Sequence, residues 1–372
     1  MEVKGAEAWS LDLLLAPCPL LLAGVGTIIK VNHLVKDFKV PKKQLNPGLG
    51  QKVLSVFYRE WETKRALKQV SFEVKQGEFV GYVGPNGAGK STTIKILTGV
   101  LTPTEGEVQV AGFVPYKQRY EYTYHIGVVF GNRSLLEFDI PVIDSFRLYR
   151  DIYELNPKAF QERLEFFSEI LKIDQFLHIP VRKLSLGERM RCEIAASLLH
   201  KPQVVFLDEP TIGLDVLAKE EVRNFLTRIN QEDKTTIMLT THDMSDIEAL
   251  CDRIFIIDEG SIIYDGSLTE MKRKYVQWKR IEFEYHGVKN PLLLKEVLKK
   301  TRVLEQTQNF VSLEVNLLEQ DVPEIIGGLL NSLDISDLNV QEPRLESVIK
   351  EIYRRGINAA VDPLEIPSPN LS

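Results

Sequence analysis

The sequence predicts an α/β core, in which helices cover both faces of a parallel sheet. The first observation is a set of short, continuous apolar runs, which are Phe79–Val83, Val204–Leu207, Thr236–Thr241 and Ile254–Ile257. The second is that segments of helical length separate these runs, and that alternation is typical of a parallel sheet buried on both faces. Upstream, Thr27–Phe38 and Ala66–Val74 alternate apolar and polar residues, which predicts an antiparallel pair of strands.

Two further regions are predicted to flank or interrupt this core, which we assign to residues 27–268. Residues from about 132 to 183 have helical spacing and predict a helical insert. Residues 281–356 follow the order strand, helix, strand, strand, helix, strand, with a final helix, which is typical of a small α+β domain on the ferredoxin-like plan. We interpret residues 1–26 as an N-terminal extension and 357–372 as a flexible tail.

The composition excludes several classes of protein. The chain has 372 residues, with 46 basic and 52 acidic side chains and a net charge of −6, which argues against a general nucleic-acid binder. Its three cysteines are far apart, which fits a reducing cytosol better than a disulfide scaffold or a metal cage. An uncharged run over 13–29 is interrupted by Pro and Gly and follows an acidic flank, so we expect it not to span a membrane.

A glycine-rich loop follows the first buried strand and precedes a helical run. It fits the pattern G-x-x-x-x-G-K-[ST], with Thr92 next, and consists of Gly84, Pro85, Asn86, Gly87, Ala88, Gly89, Lys90 and Ser91. Glycines allow backbone N–H groups to wrap closely around phosphates. Lys90 would add positive charge at the β- and γ-phosphates, and the Ser91 hydroxyl would ligate Mg²⁺. This segment therefore predicts a triphosphate site.

Two acidic residues end the second buried strand. Asp208 and Glu209 follow Val204–Leu207, and the carboxyl end of a parallel strand borders the nucleotide crevice in such sheets. We predict that Asp208 belongs to the Mg²⁺ site and that Glu209 polarises the attacking water.

Together with LSLGE (184–188), GLD (213–215) and TTHD (240–243), these motifs resemble the ATP-binding subunit of ABC transporters over roughly residues 27–268. The resemblance implies an ABC-type P-loop ATPase core and a head-to-tail dimer. In that dimer each ATP lies between the P-loop of one subunit and the LSLGE signature of the other, where Ser185 and Gly187 would meet the γ-phosphate.

The resemblance also implies roles for single residues. His242 would be the switch histidine, which contacts the γ-phosphate and orients Glu209 and water, and Asp215 would link the two sites through the D-loop. Asn132 stands where the family has a glutamine that contacts Mg²⁺ or water. Trp61 lies 23 residues before Gly84, where an aromatic stacks on adenine, with Phe38 and Tyr58 as alternatives.

The signature departs from the family pattern LSGGQ at two positions. Leu186 replaces a glycine and Glu188 replaces a glutamine. The serine and the second glycine remain, so we expect the phosphate contact to remain, although Glu188 adds negative charge near ATP.

The expected function is therefore that of an ATP-hydrolysing subunit that uses ATP and Mg²⁺ and drives a separate membrane permease. It would pair with itself or with another ATPase subunit, lie in the cytoplasm on the inner face of the membrane, and belong to an exporter-type system, with no nucleic-acid partner. The alternative is a soluble ABC-type ATPase of translation or DNA repair. The single P-loop and the short interval from Lys90 to Ser185 disfavour it. The C-terminal domain would support the dimer, bind a regulatory ligand or simply pack.

Overall fold

A computed structural model describes residues 26–41, 61–131, 133–275, 278–342 and 345–355. Its central sheet consists of β3 (Phe79–Val83), β5 (Ile126–Phe130), β6 (Val204–Asp208), β7 (Thr236–Thr240), β8 (Arg253–Asp258) and β9 (Ser261–Ser267). The strand order is β5-β6-β7-β3-β8-β9, with β9 antiparallel to β8 and the other neighbours parallel. The four apolar runs thus form the middle of one parallel sheet, as predicted.

A second, antiparallel sheet covers one face of the central sheet. It consists of β1 (Thr27–Pro41), β2 (Trp61–Lys75) and β4 (Glu105–Val110), in the order β2-β1-β4. The predicted pairing of the first two strands is confirmed, and both strands are longer than predicted. Leu67 and Phe72 of this sheet share one apolar core with Val80, Tyr82 and Phe255 of the central sheet.

Helices form the rest of this region. They are α1 (Lys90–Leu97), α2 (Arg119–Thr123), α3 (Val142–Ile152), α4 (Pro157–Leu171), α5 (Leu186–Leu198), α6 (Val216–Asp233), α7 (Met244–Leu250) and α8 (Leu268–Tyr275). Of these, α3 and α4 lie in the region predicted as a helical insert, and α5 begins at the signature. No helix among the described residues is long and apolar enough to cross a membrane.

The C-terminal region forms its own sheet and its own apolar core. Its elements are β10 (Trp278–Val288), α9 (Pro291–Lys300), β11 (Arg302–Gln306), β12 (Phe310–Asn316), α10 (Val322–Ser332) and β13 (Leu333–Gln341). The strands are antiparallel in the order β11-β12-β10-β13, which is the ferredoxin-like arrangement.

The last helix, α11 (Leu345–Arg355), does not pack into that small core. Its apolar side chains Leu345, Val348, Ile349 and Ile352 are buried in the main core of the ATPase region, against α7 and α8. The sequence pattern predicts this helix as the final element of the small C-terminal α+β domain (281–356), the accessory domain. An amphipathic stripe identifies a helix that packs, but it does not tell which of two cores receives it.

Candidate nucleotide-binding and hydrolysis site

The glycine-rich loop joins the end of β3 to the start of α1, as predicted. At Gly84, a Cβ atom would lie 2.4 Å from the carbonyl oxygen of Ile257, so no larger residue fits. Gly89 has φ 113°, a backbone conformation that favours glycine, and it immediately precedes Lys90. The turn thus places the N-terminus of α1 at the edge of the sheet, where backbone N–H groups favour an anion.

Lys90 is held by its own loop. Its Nζ donates hydrogen bonds to the carbonyl oxygens of Gly84, at 2.6 Å, and of Pro85, at 3.2 Å. Burial lowers the pKa of Lys90, whereas the carboxylates of Glu209 and Asp208 act to raise it. The ammonium is therefore directed into the loop, near those two carboxylates.

A cavity of about 550 Å³ opens in front of this loop. It is lined by the loop and helix residues 86, 87 and 89–92, by Glu209 and Glu259, by the basic side chains Lys64, Arg65 and Lys68, and by Phe38 and Val40. With Lys90, the lining has more basic than acidic side chains, which suits a polyphosphate. Phe38 and Val40 supply an apolar wall that suits a base.

The adenine-stacking prediction concerned three aromatic residues. Trp61 begins β2 opposite Pro41, is 58% exposed, and is not among the described residues that line the cavity. Phe38 does line it. Tyr58 lies outside the described residues.

The two acidic residues at the end of β6 occupy different environments. Asp208 Oδ1 accepts a hydrogen bond of 2.5 Å from the hydroxyl of Thr240, at the end of the neighbouring strand β7. Glu209 has φ 58° and its backbone N–H donates to the Thr240 carbonyl at 2.9 Å. A left-handed conformation is costly for a glutamate, and such strain clusters at functional sites. The turn directs the Glu209 side chain into the P-loop cavity.

His242 contacts Glu209 directly. Its Nε2 lies 2.7 Å from Glu209 Oε1, and about half of the imidazole surface is exposed. Both side chains also line a neighbouring cavity of about 300 Å³, together with Gly213 of the D-loop. The structure therefore brings Lys90, Asp208, Glu209 and His242 to one edge of the sheet, because β3, β6 and β7 are adjacent and parallel.

At the signature, Ser185 and Glu188 cap α5 reciprocally. The Glu188 backbone N–H donates to the Ser185 hydroxyl at 3.3 Å, and the Ser185 N–H donates to the Glu188 carboxylate at 2.7 Å. Glutamate and glutamine both serve at this position of a capping box, so the departure from glutamine keeps the cap. Ser185 itself is exposed.

The signature and the D-loop interlock within the chain. Leu186 lies over Gly213, where an added Cβ would meet Leu186 Cδ2 at 2.7 Å, and Leu214 lies over Gly187, with 3.6 Å to an added Cβ. Asp215 caps α6, since its carboxylate accepts from the Ala218 N–H at 2.8 Å. Leu186, which replaces a glycine of the family pattern, thus makes a contact with Gly213 that a glycine could not make.

Two further findings concern residues near the carboxylates. Asn132 lies outside the described residues, although the N–H of the preceding Gly131 donates to the Asp208 carbonyl at 2.9 Å.

Sequence reasoning missed Asp246, which is fully buried on α7 and hydrogen-bonded to both Thr211 and Thr241. Its place four residues after His242 was the only sequence signal.

This fold and this set of residues define a P-loop ATPase. A phosphate loop, a carboxylate pair and a histidine meet at the carboxyl edge of a parallel sheet, with a second helix N-terminus capped by the signature serine. The comparisons with known proteins make this class more specific.

A family model described as ABC transporter matches residues 67–212. The ABC transporter ATP-binding protein NatA of Bacillus subtilis is 33% identical over 207 residues, which are 56% of this chain and 84% of that protein. The linearmycin resistance ATP-binding protein LnrL, also of Bacillus subtilis, is 28% identical over 297 residues, which are 78% of this chain and 94% of that protein.

A solved structure, the dimeric post-hydrolysis state of the ATP-binding cassette MJ0796 bound to ADP and Pi, is also similar. It has a TM-score of 0.53 and 25% identity, and covers 64% of this chain and 98% of that one. The chain therefore belongs to the family of ABC transporter ATP-binding proteins, and it binds and hydrolyses ATP.

Proposed function

We propose that this chain is the ATP-hydrolysing subunit of an ABC exporter, which pairs with a second ATPase subunit around ATP and drives a separate permease. The observation that carries the proposal is the 2.7 Å contact between Glu209 and His242 at the mouth of the P-loop cavity. A carboxylate and an imidazole in hydrogen-bond contact can orient and deprotonate an attacking water. Lys90, which lines the same cavity as Glu209, supplies positive charge for the phosphates.

The donor set near the P-loop fits Mg²⁺. Ser91 and Asp208 offer a hydroxyl and a carboxylate, which are the hard oxygen ligands that this cation prefers. Asn132 stays a predicted third ligand. Mg²⁺ would neutralise charge on the β- and γ-phosphates. For the base of ATP, the cavity lining supports Phe38 as the stacking residue, while Trp61 stays a prediction.

An exposed apolar surface supports pairing with a second ATPase subunit, either a copy of this chain or a related one. Ile212, Val216 and Leu217 are 52–81% exposed beside Leu186 of the signature, which is 40% exposed. Such a patch around two functional motifs is typical of a protein interface. In this proposal Ser185 and Gly187 reach the γ-phosphate bound to the partner, and Asp215 lies at the same interface.

A groove between β5 and the helices α3 and α5 supports a permease contact. It has a volume of about 190 Å³, and its lining includes Val100, Phe130, Leu135, Tyr149 and Tyr153. Aromatic and aliphatic side chains in a concave site suit the apolar face of a helix. In this proposal the chain lies at the cytoplasmic face of the membrane, held there by the permease. The alignment with a resistance protein along 78% of the chain supports export.

We predict that Glu209→Gln leaves Mg-ATP affinity within about twofold, lowers turnover at least a hundredfold, and traps a dimer in ATP, because the amide cannot accept a proton. Calorimetry, phosphate release and light scattering measure these three quantities. The matched control is Glu232→Gln, which removes a carboxylate from a surface pair with Arg228. Near-normal turnover in Glu209→Gln would remove Glu209 from its role.

We predict that the tagged chain, extracted from native membranes in mild detergent, co-purifies with a polytopic protein in fixed stoichiometry. Val100→Glu, at a half-exposed position of the groove, should reduce that recovery, because a charge there opposes an apolar helix. Val303→Glu, at an exposed valine of β11, is the control. Recovery only in the soluble fraction, alone or with ribosomes or DNA, would contradict the transport assignment and leave the ATPase assignment intact.

A further inference from the structure

Asp246 is a fully buried carboxylate four residues after His242, on the helix α7. Burying a carboxylate is costly unless hydrogen bonds and a positive charge compensate for the lost water. At Asp246 that compensation comes from three separate segments of the chain, and two of them carry the groups that face ATP.

The two threonines that bond to Asp246 flank the hydrolytic pair. Both hydroxyls donate to Oδ2, that of Thr211 in a short hydrogen bond and that of Thr241 at 3.4 Å. Thr211 lies two residues after Glu209, and Thr241 immediately precedes His242. One carboxylate oxygen therefore joins the turn that carries Glu209 to the turn that carries His242.

The other oxygen joins these turns to α6, which begins at the D-loop. Arg223 Nε donates to Asp246 Oδ1 at 2.7 Å, and one turn earlier Lys219 Nζ lies 2.5 Å from Asp243 Oδ2. Burial acts to raise the pKa of Asp243, but hydrogen bonds from Lys219 and Ser245 outweigh it and lower that pKa to about 2. Two ion pairs thus hold α6 and α7 together on the side of the switch histidine.

We propose that Asp246 is a positioning residue for ATP hydrolysis: it fixes the turns that carry Glu209 and His242, and so maintains their contact. Glu209 is in a strained left-handed conformation, which persists only where its surroundings impose it. The bond from Thr211 imposes such a constraint two residues further on. The inference rests on the roles proposed above for Glu209 and His242.

The test is Asp246→Asn in the full chain. Asparagine keeps the shape of the side chain but has only one oxygen that accepts hydrogen bonds. If that oxygen accepts from Arg223, the NH₂ group stands in the place of the oxygen that accepts from Thr211 and Thr241, and it cannot accept their hydrogen bonds. We expect turnover to fall about tenfold or more, because small displacements of catalytic groups are costly, whereas Mg-ATP affinity stays within about twofold. Phosphate release gives kcat and KM, and calorimetry gives Kd.

A second variant keeps the inference testable if Asp246→Asn does not fold. Thr211→Val removes one hydroxyl from a buried site at nearly constant volume, and we expect it to lower kcat with Kd unchanged. The double variant should be no slower than the slower single variant, because both remove the same contact. Additive losses, or normal turnover in Thr211→Val, would contradict the proposed route through Thr211.

The matched control is Asp233→Asn, which breaks another ion pair of α6. Arg163 Nη1 lies 2.6 Å from Asp233 Oδ2, and the arginine is buried, but neither residue is bonded to the site. It should lower thermal stability and leave kcat unchanged. A loss of kcat equal to that of Asp246→Asn would make the effect general destabilisation and overturn the inference. Normal turnover in Asp246→Asn, with Glu209→Gln inactive, would overturn the positioning role alone. An active Glu209→Gln would overturn the proposed hydrolytic pair.

Discussion

His200 follows α5 and stacks on Tyr153, with 3.9 Å between the ring centroids and 5° between the ring planes. Its Nε2 lies 2.9 Å from the Ile126 carbonyl oxygen, so a proton on Nε2 completes a hydrogen bond in the neutral ring. Burial lowers the pKa of His200 to about 4, although the Ile126 bond acts in the opposite direction. The imidazole is therefore neutral at pH 7 and contributes to the wall of the proposed permease groove.

This lowered pKa predicts a pH-dependent stability. Between pH 6.5 and pH 4, the unfolded chain binds a proton at His200 that the folded chain does not, so the free energy of unfolding falls as the pH falls through that window. His200→Gln keeps an N–H for the Ile126 carbonyl but does not titrate. Urea unfolding measures the free energy of unfolding at each pH. Between pH 7 and pH 5 we expect this free energy to fall by about 1–2 kcal/mol less in the variant than in the wild type.

The control for this prediction is His286→Gln, at an exposed histidine of β10. It should follow the wild type over the whole pH range. If His200→Gln lost as much stability as the wild type on acidification, the ring would be charged in the folded protein, and the groove would carry a positive charge.

Strands, turns and helices differ in how well the sequence predicted them. The P-loop was predictable because its strand, glycines and helix are contiguous, so that local chemistry determines the whole element. The meeting of Asp208, Glu209 and His242 was predictable because parallel strands bring their carboxyl ends to one edge. The pairing of the far ends of β1 and β2 was not predictable. Residues 61–65 are mostly charged and show no apolar alternation, yet they pair with residues 37–41.

Contacts between segments that are distant along the chain could not be predicted from the sequence patterns. Asp246 meets Thr211 and Arg223, which lie 35 and 23 positions away, and no spacing rule connects these residues. The interlock of Leu186 with Gly213 is of the same kind. Each motif was recognisable alone, whereas the contact depends on how α5 and α6 pack. That packing makes the signature and the D-loop neighbours within one chain, before any partner is present.

Across the whole chain, α11 connects the two folded regions. The accessory sheet has its own core around Phe283, Leu313 and Leu329, whereas α11 lies on the ATPase region. It packs against α7, whose N-terminal cap, Asp243, follows His242. The end of the accessory domain is therefore anchored to the helix that carries Asp246.

The anchoring predicts where a core defect in α11 acts. Ile349 is 4% exposed in the ATPase core, so Ile349→Ala should cost about 2–5 kcal/mol and raise hydrogen exchange in α7 and α8. Leu329→Ala, a matched truncation in the accessory core, should instead raise exchange in β10–β13. Exchange mass spectrometry distinguishes the two patterns. Faster exchange confined to β10–β13 in Ile349→Ala would show that α11 stabilises the accessory domain, and that the accessory domain is not anchored to α7.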